Sequence, residues 1–124
     1  MRRARAILVL LALLALPARA ADYYYASWGS DAGAGTNWAT ARSNLQSFLQ
    51  SRANTNVDTV YYAGTCAMTN GHCAPVKNIR IVASNQAYQG TVLTSGTGTN
   101  RVLYFGNGVT NCQLIGFTIT GGSE

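Results

Sequence analysis

Four acids are the first candidates for chemistry in this chain of 124 residues: Asp22, Asp31, Asp58 and Glu124. General acid–base work needs two such groups converging on one substrate bond. Asp22 precedes an aromatic run, Asp31 sits in a glycine-rich stretch, Asp58 begins a β-like run, and Glu124 is the last residue given. No two share a strand or a motif spacing, so the sequence assigns no catalytic residue and no cofactor-binding residue. Asp31 together with backbone oxygens of the Gly33 to Gly35 loop has the elements of a cation site, but an Asx turn that stabilises the loop is the reading its surroundings favour. Asp58 reads as a cap or orienting residue for the turn after a helix.

The cysteines and aromatics come next. Cys66 and Cys73 close an eight-residue loop around Asn70-Gly71, and in an oxidising compartment a close pair of this kind reads as a disulfide. The chain-entropy model gives roughly 2.5 kcal/mol for such a loop before strain. His72 raises a Cys/His metal site as the rival, but three candidate ligands without repeated spacing or an acidic partner leave metal unassigned. Cys112 is left over, either as a small buried apolar residue or as the partner of a cysteine outside this chain. Tyr23, Tyr24, Tyr25, Trp28, Trp38, Tyr61 and Tyr62 offer flat apolar faces for sugar rings. Packing between the first strand and a helix is the favoured alternative, because strand alternation lets only about half of them face outward. Lys77, Arg80 and Arg101 suggest a weak track for anionic sugars or, more plainly, a solvated surface.

The elements that position these residues follow a leader. Arg2, Arg3 and Arg5 precede the apolar run Ala6 to Leu16, then Pro17 and Ala18-Arg19-Ala20, the layout of a secretory signal cut after Ala20 or Ala21. Eleven residues of helix span roughly 17 Å, too short for a ~30 Å hydrocarbon core. The expectation is residues 1–21 as signal peptide, residues 22–124 as the mature domain with no membrane span, and a location that is secreted, periplasmic or at the cell surface. The formal charge of +5 includes Arg2, Arg3, Arg5 and Arg19, so the mature segment carries only about +1 and lacks the basic face of a nucleic-acid binder.

In that mature segment the sequence predicts a strand over 22–27, one amphipathic helix from Ala41 to about Arg52 with Thr40 as its cap, and short strands at 59–62, 79–82, 91–93, 102–105 and 114–119. Ile115, Phe117 and Ile119 are expected on one half-buried face. Val60 to Ile79 is 19 residues and Ile79 to Val102 is 23, which suggests a solenoid with a period near twenty. A small β-sandwich is the alternative.

Tyr24-Tyr25 leading into Gly29-Ser30-Asp31, then Gly35-Thr36, Trp38-Ala39-Thr40, Asp58-Thr59-Val60-Tyr61, Gly64-Thr65 and Gly116-Phe117-Thr118-Ile119-Thr120-Gly121-Gly122 together resemble the opening of the pectin-lyase-like right-handed parallel β-helix repeat family. The sequence departs from the family pattern at Val57 and Cys66, where those proteins usually carry glycine and an aromatic. The resemblance implies an all-β fold: a right-handed parallel β-helix whose N-terminal amphipathic helix caps the first coils with Leu45, Phe48 and Leu49. It further implies that the domain is an incomplete fragment of a longer protein, and that the uncapped edge at Leu114 to Ile119 promotes self-association. Functionally it implies a secreted protein that binds or acts on extracellular polysaccharide. An enzymatic parent would be a polysaccharide lyase or glycoside hydrolase, with Ca²⁺ in a full-length relative and with this segment alone inactive. The alternatives are a non-catalytic adhesin-like surface solenoid and a small secreted glycan-binding β domain.

Overall fold

The computed structural model describes residues 19–51, 56–68, 78–84, 90–95 and 102–121. Seven strands are described: β1 (Asp22–Ala26), β2 (Asp58–Ala63), β3 (Thr65–Met68), β4 (Ile79–Ala83), β5 (Val92–Ser95), β6 (Cys112–Ile115) and β7 (Thr118–Thr120). One α-helix, α1 (Leu45–Ser51), follows a single 3-10 turn at Trp38–Thr40. The strands form two sheets, ordered β1-β2-β4-β6 and β3-β5-β7, and every pair is parallel.

This architecture corrects the expected fold class. The protein is a small α/β domain with two all-parallel sheets and one helix, where the sequence and the resemblance implied an all-β right-handed β-helix. Two observations overturn that expectation. In the four-stranded sheet, paired positions are separated by 37 residues (22 to 59), 21 (58 to 79) and 33 (79 to 112); in the other they are separated by 27 (65 to 92) and 26 (92 to 118). Among the described residues the intervals, which run from 21 to 37, share no common period near twenty. Moreover, α1 belongs to the core: Leu45 and Leu49 are buried in one cluster with Tyr25, Val60, Tyr62, Met68, Ile79, Ile81 and Leu93. Each such aliphatic side chain contributes roughly 1.5–3 kcal/mol by leaving water. The sandwich alternative fails too, because sandwiches of that kind are built from antiparallel sheets.

The helix is shorter than its periodicity suggests. Arg42 is drawn into β-type pairing with β1: its amide donates to the Tyr24 carbonyl at 3.0 Å and the Ala26 amide donates to the Arg42 carbonyl at 2.8 Å. Those bonds hold Arg42 extended, and α1 starts only after Asn44, whose Oδ1 accepts the Ser47 amide at 3.0 Å. Thr40 therefore ends the 3-10 turn, which Asn37 caps through its side chain.

Residues 114–119 are also not one strand. Gly116 adopts φ +78°, a conformation costly for residues with a Cβ, and turns the chain from β6 in one sheet to β7 in the other. Cys112 and Leu114 face inward while Ile115 and Ile119 stay exposed. Val102 is buried but residues 102–105 form no named strand.

Candidate functional site

β1 is an outer strand of its sheet, and an open strand edge is a template for unwanted pairing. The 27–42 segment covers it. Besides the Arg42 bonds, the Tyr24 amide donates to the Gly35 carbonyl at 2.9 Å, the Gly35 amide to the Thr40 carbonyl at 2.8 Å and the Ser30 amide to the Ala41 carbonyl at 2.9 Å. These backbones approach so closely that a Cβ at Gly29 would collide with the Arg42 carbonyl and one at Gly33 with the Thr40 carbonyl. The glycines that sequence reading took as loop markers are thus required by contact distance.

Two side chains tighten the same segment. Arg42 donates from Nε to the Gly33 carbonyl at 3.0 Å. Asp31 accepts from Ser43 Oγ at 2.7 Å and from the Asn44 amide at 3.1 Å through one oxygen, Oδ1. The Ser43 hydroxyl and Asn44 amide bonds hold the Asp31 carboxyl below the ordinary aspartate range. Asp31 therefore fastens the loop to the start of α1. Its role as a loop-stabilising residue is visible, though the partners lie twelve and thirteen residues away instead of within an Asx turn.

The folded segment carries a groove of about 360 Å³ lined by Trp28, Ser30, Ala32, Trp38, Thr40 and neighbouring backbone. Trp38 is held edge-on against Tyr24, with ring centroids 5.1 Å apart and planes at 77°, and Tyr24 in turn stacks on Tyr61 at 5.3 Å. Trp28 is 55% exposed. Tyr23 and Tyr25 pack on Phe48 at 4.8 and 5.2 Å, and Tyr62 is buried. The seven aromatics thus divide: Tyr23, Tyr25 and Tyr62 serve packing, Tyr24 and Tyr61 form a supporting stack, and Trp28 and Trp38 border open space. A second, polar groove of about 280 Å³ is lined by Asp31, Arg42, Asn44, Ser47 and Ser51 with Tyr25 and Phe48.

Asp58 is the first residue of β2, only 8% exposed, and its Oδ1 accepts the Ala21 amide at 2.9 Å; residues 52–55, between α1 and β2, lie outside the described residues. Asp22 lies in β1, and Glu124 lies outside the described residues. Among the described residues no cluster of three or more His, Cys, Asp or Glu is placed to hold a metal ion.

Cys66 is a buried thiol in β3, pushed up to about 11 by burial. Its expected disulfide partner Cys73, the rival ligand His72, and Asn70-Gly71 lie outside the described residues, as do Lys77 and Arg101 of the cationic track. Arg80 is exposed and donates to Gln113 Oε1 at 2.9 Å across the β4–β6 pair.

Sequence reading missed a pair of asparagines. Asn78 and Asn111 take left-handed backbone, φ 60° and 55°, immediately before β4 and β6. Asn111 Nδ2 donates to Asn78 Oδ1 at 3.2 Å, and the Ile79 amide donates to the Asn111 carbonyl at 3.2 Å. The available signal was an Asn directly before each apolar run, since Asn tolerates this conformation better than other residues with a Cβ.

No protein-family model, no curated protein and no solved structure matches the chain.

Proposed function

We propose that the mature domain is exported and binds extracellular polysaccharide, with Trp28 and Trp38 as the platform on which sugar rings stack. The observation that carries this reading is the groove itself: two indoles at its border, one more than half exposed and one braced by Tyr24, beside the polar Ser30 and Thr40. An indole face suits the apolar face of a pyranose, and nearby hydroxyls suit its polar edge. The signal-like layout of residues 1–21 supports an extracellular ligand. Binding here needs no acid pair and no metal, which agrees with the dispersed Asp22, Asp31 and Asp58. The test is affinity electrophoresis and calorimetry against neutral and uronic-acid polysaccharides, with Trp28→Ala and Trp38→Ala as variants. Each is expected to raise Kd at least tenfold, the equivalent of about 1.4 kcal/mol, while Trp28→Ala leaves Tm unchanged.

A second reading, a surface protein that assembles through its strand edges, rests on Ile115 and Ile119, 45% and 51% exposed on the outer strands β6 and β7. Concentration-dependent light scattering that Ile119→Lys abolishes would favour it.

A further inference from the structure

The leader permits a cut after either Ala20 or Ala21, and the fold treats the two very differently. Ala21 is already seated in the sheet. Its amide donates to Asp58 Oδ1 at 2.9 Å and its carbonyl accepts the Thr59 amide at 2.9 Å, extending the β1–β2 register of Asp22 with Thr59 by one residue. Arg19 and Ala20, just before it, are exposed. A cut after Ala21 would delete both bonds and remove a donor from a carboxylate only 8% exposed. A cut after Ala20 keeps both.

We propose that maturation occurs at the Ala20–Ala21 bond and that the new α-ammonium group of Ala21 forms an ion pair with Asp58, so that processing itself strengthens the fold. The inference rests on the reading of residues 1–21 as an export signal. In the cut, water is the co-reactant. Its oxygen bonds to the Ala20 carbonyl carbon, the C–N bond breaks with its electron pair going to the Ala21 nitrogen, and the two protons of water end on that nitrogen, leaving a carboxylate on Ala20. The Ala21 nitrogen passes from a neutral amide with one proton to an ammonium with three.

That change acts where it counts. In the uncut chain Asp58 receives a neutral amide hydrogen bond. In the cut chain the same nitrogen, at the same position, presents a full positive charge, and charge-assisted bonds of this geometry are roughly twice as strong as neutral ones. The remaining ammonium protons can point toward the exposed side vacated by Ala20 and bind water. The leader's removal supplies the cation and β2 already holds the anion.

Two measurements test this. Intact mass of the exported protein is expected to give a chain starting at Ala21. A start at Asp22 would overturn the inference while leaving export intact, whereas a chain retaining Arg2 to Leu16 would overturn the export reading beneath it. Independently of export, the chain produced with Ala21 as its first residue is compared with its Nα-acetylated form, in both the Asp58 and the Asp58→Asn background, by urea denaturation. Acetylation is expected to lower the folded-to-unfolded ratio about fivefold to tenfold with Asp58 present and less than twofold with Asn; equal effects in the two backgrounds would refute the ion pair. Should Asp58→Asn not fold, the acylation rate of the Ala21 amine at neutral pH decides. It is expected to be at least tenfold slower in the folded chain than in urea, and equal rates would refute the pairing.

Discussion

Replacing Asn111 separates backbone strain from side-chain bonding at the turn before β6. Asn111 holds φ 55°, where an ordinary L-residue costs roughly 1–2 kcal/mol and Asn and Gly cost less. Its amide also donates to Asn78 Oδ1 at 3.2 Å on an exposed surface, a bond whose net value falls toward the low end of about 0.5–1.5 kcal/mol. Asn111→Ala loses the bond and meets the strain, for an expected cost of about 1.5–2.5 kcal/mol. Asn111→Gly loses the bond and gains unfolded-state freedom but escapes the strain, for an expected cost near 1 kcal/mol. The expected order of stability is Asn, then Gly, then Ala, read from urea midpoints at unchanged slope. An alanine variant as stable as the glycine variant would show that the left-handed turn is not a constraint on this fold.

Other outcomes follow from the same geometry. Leu49→Ala empties part of the cluster that joins α1 to Val60 and Ile79 and is expected to cost about 2–5 kcal/mol; a loss below 1 kcal/mol by denaturation would mean that the helix is not part of the core. Because the Asp31 carboxyl is held below its ordinary range by Ser43 and Asn44, its stabilising effect is full above the unfolded value of ~4 and fades as pH falls through the lower folded value. Asp31→Asn should therefore flatten the acid limb of the stability profile below about pH 4, and an unchanged limb would contradict the assignment. In protein from an oxidising compartment, non-reducing peptide mapping is expected to link Cys66 with Cys73, and a link from Cys112 to either would contradict the pairing. After reduction, Cys66, with its thiol raised to about 11, should alkylate more slowly at pH 8 than half-buried Cys112, and equal rates would show that β3 opens readily.

The elements visible in the sequence are those governed by local pattern. The alternation of Ile79 and Ile81 with Arg80 marks a strand whose buried and exposed faces are as read, and the Tyr23 to Tyr25 run marks β1. What failed was decided by long-range pairing. Nothing local reveals that Arg42 bonds to β1, so the apolar period overextended the helix; nothing local reveals uneven spacing between paired strands, so two intervals near twenty suggested a repeat. Ile115 and Ile119 have the alternation of a buried face, but β6 turns Cys112 and Leu114 inward and leaves Ile115 exposed, and after the turn at Gly116 Ile119 in β7 is exposed as well. At the site, the importance of Gly29, Gly33, Trp28 and Trp38 was legible as loop and aromatic composition. Their convergence was not, because it depends on the 27–42 segment folding back along the β1 edge.

Titration of the mature domain with polysaccharide, followed by tryptophan fluorescence and calorimetry on the native chain, Trp28→Ala and Trp38→Ala, tests the central reading most directly. Saturable binding that shifts tryptophan emission and weakens at least tenfold in both variants, with Trp28→Ala still folded at the native Tm, is the expected result. Native-strength binding in both variants, or no binding to any neutral or uronic-acid polymer, would contradict the assignment of the Trp28–Trp38 groove.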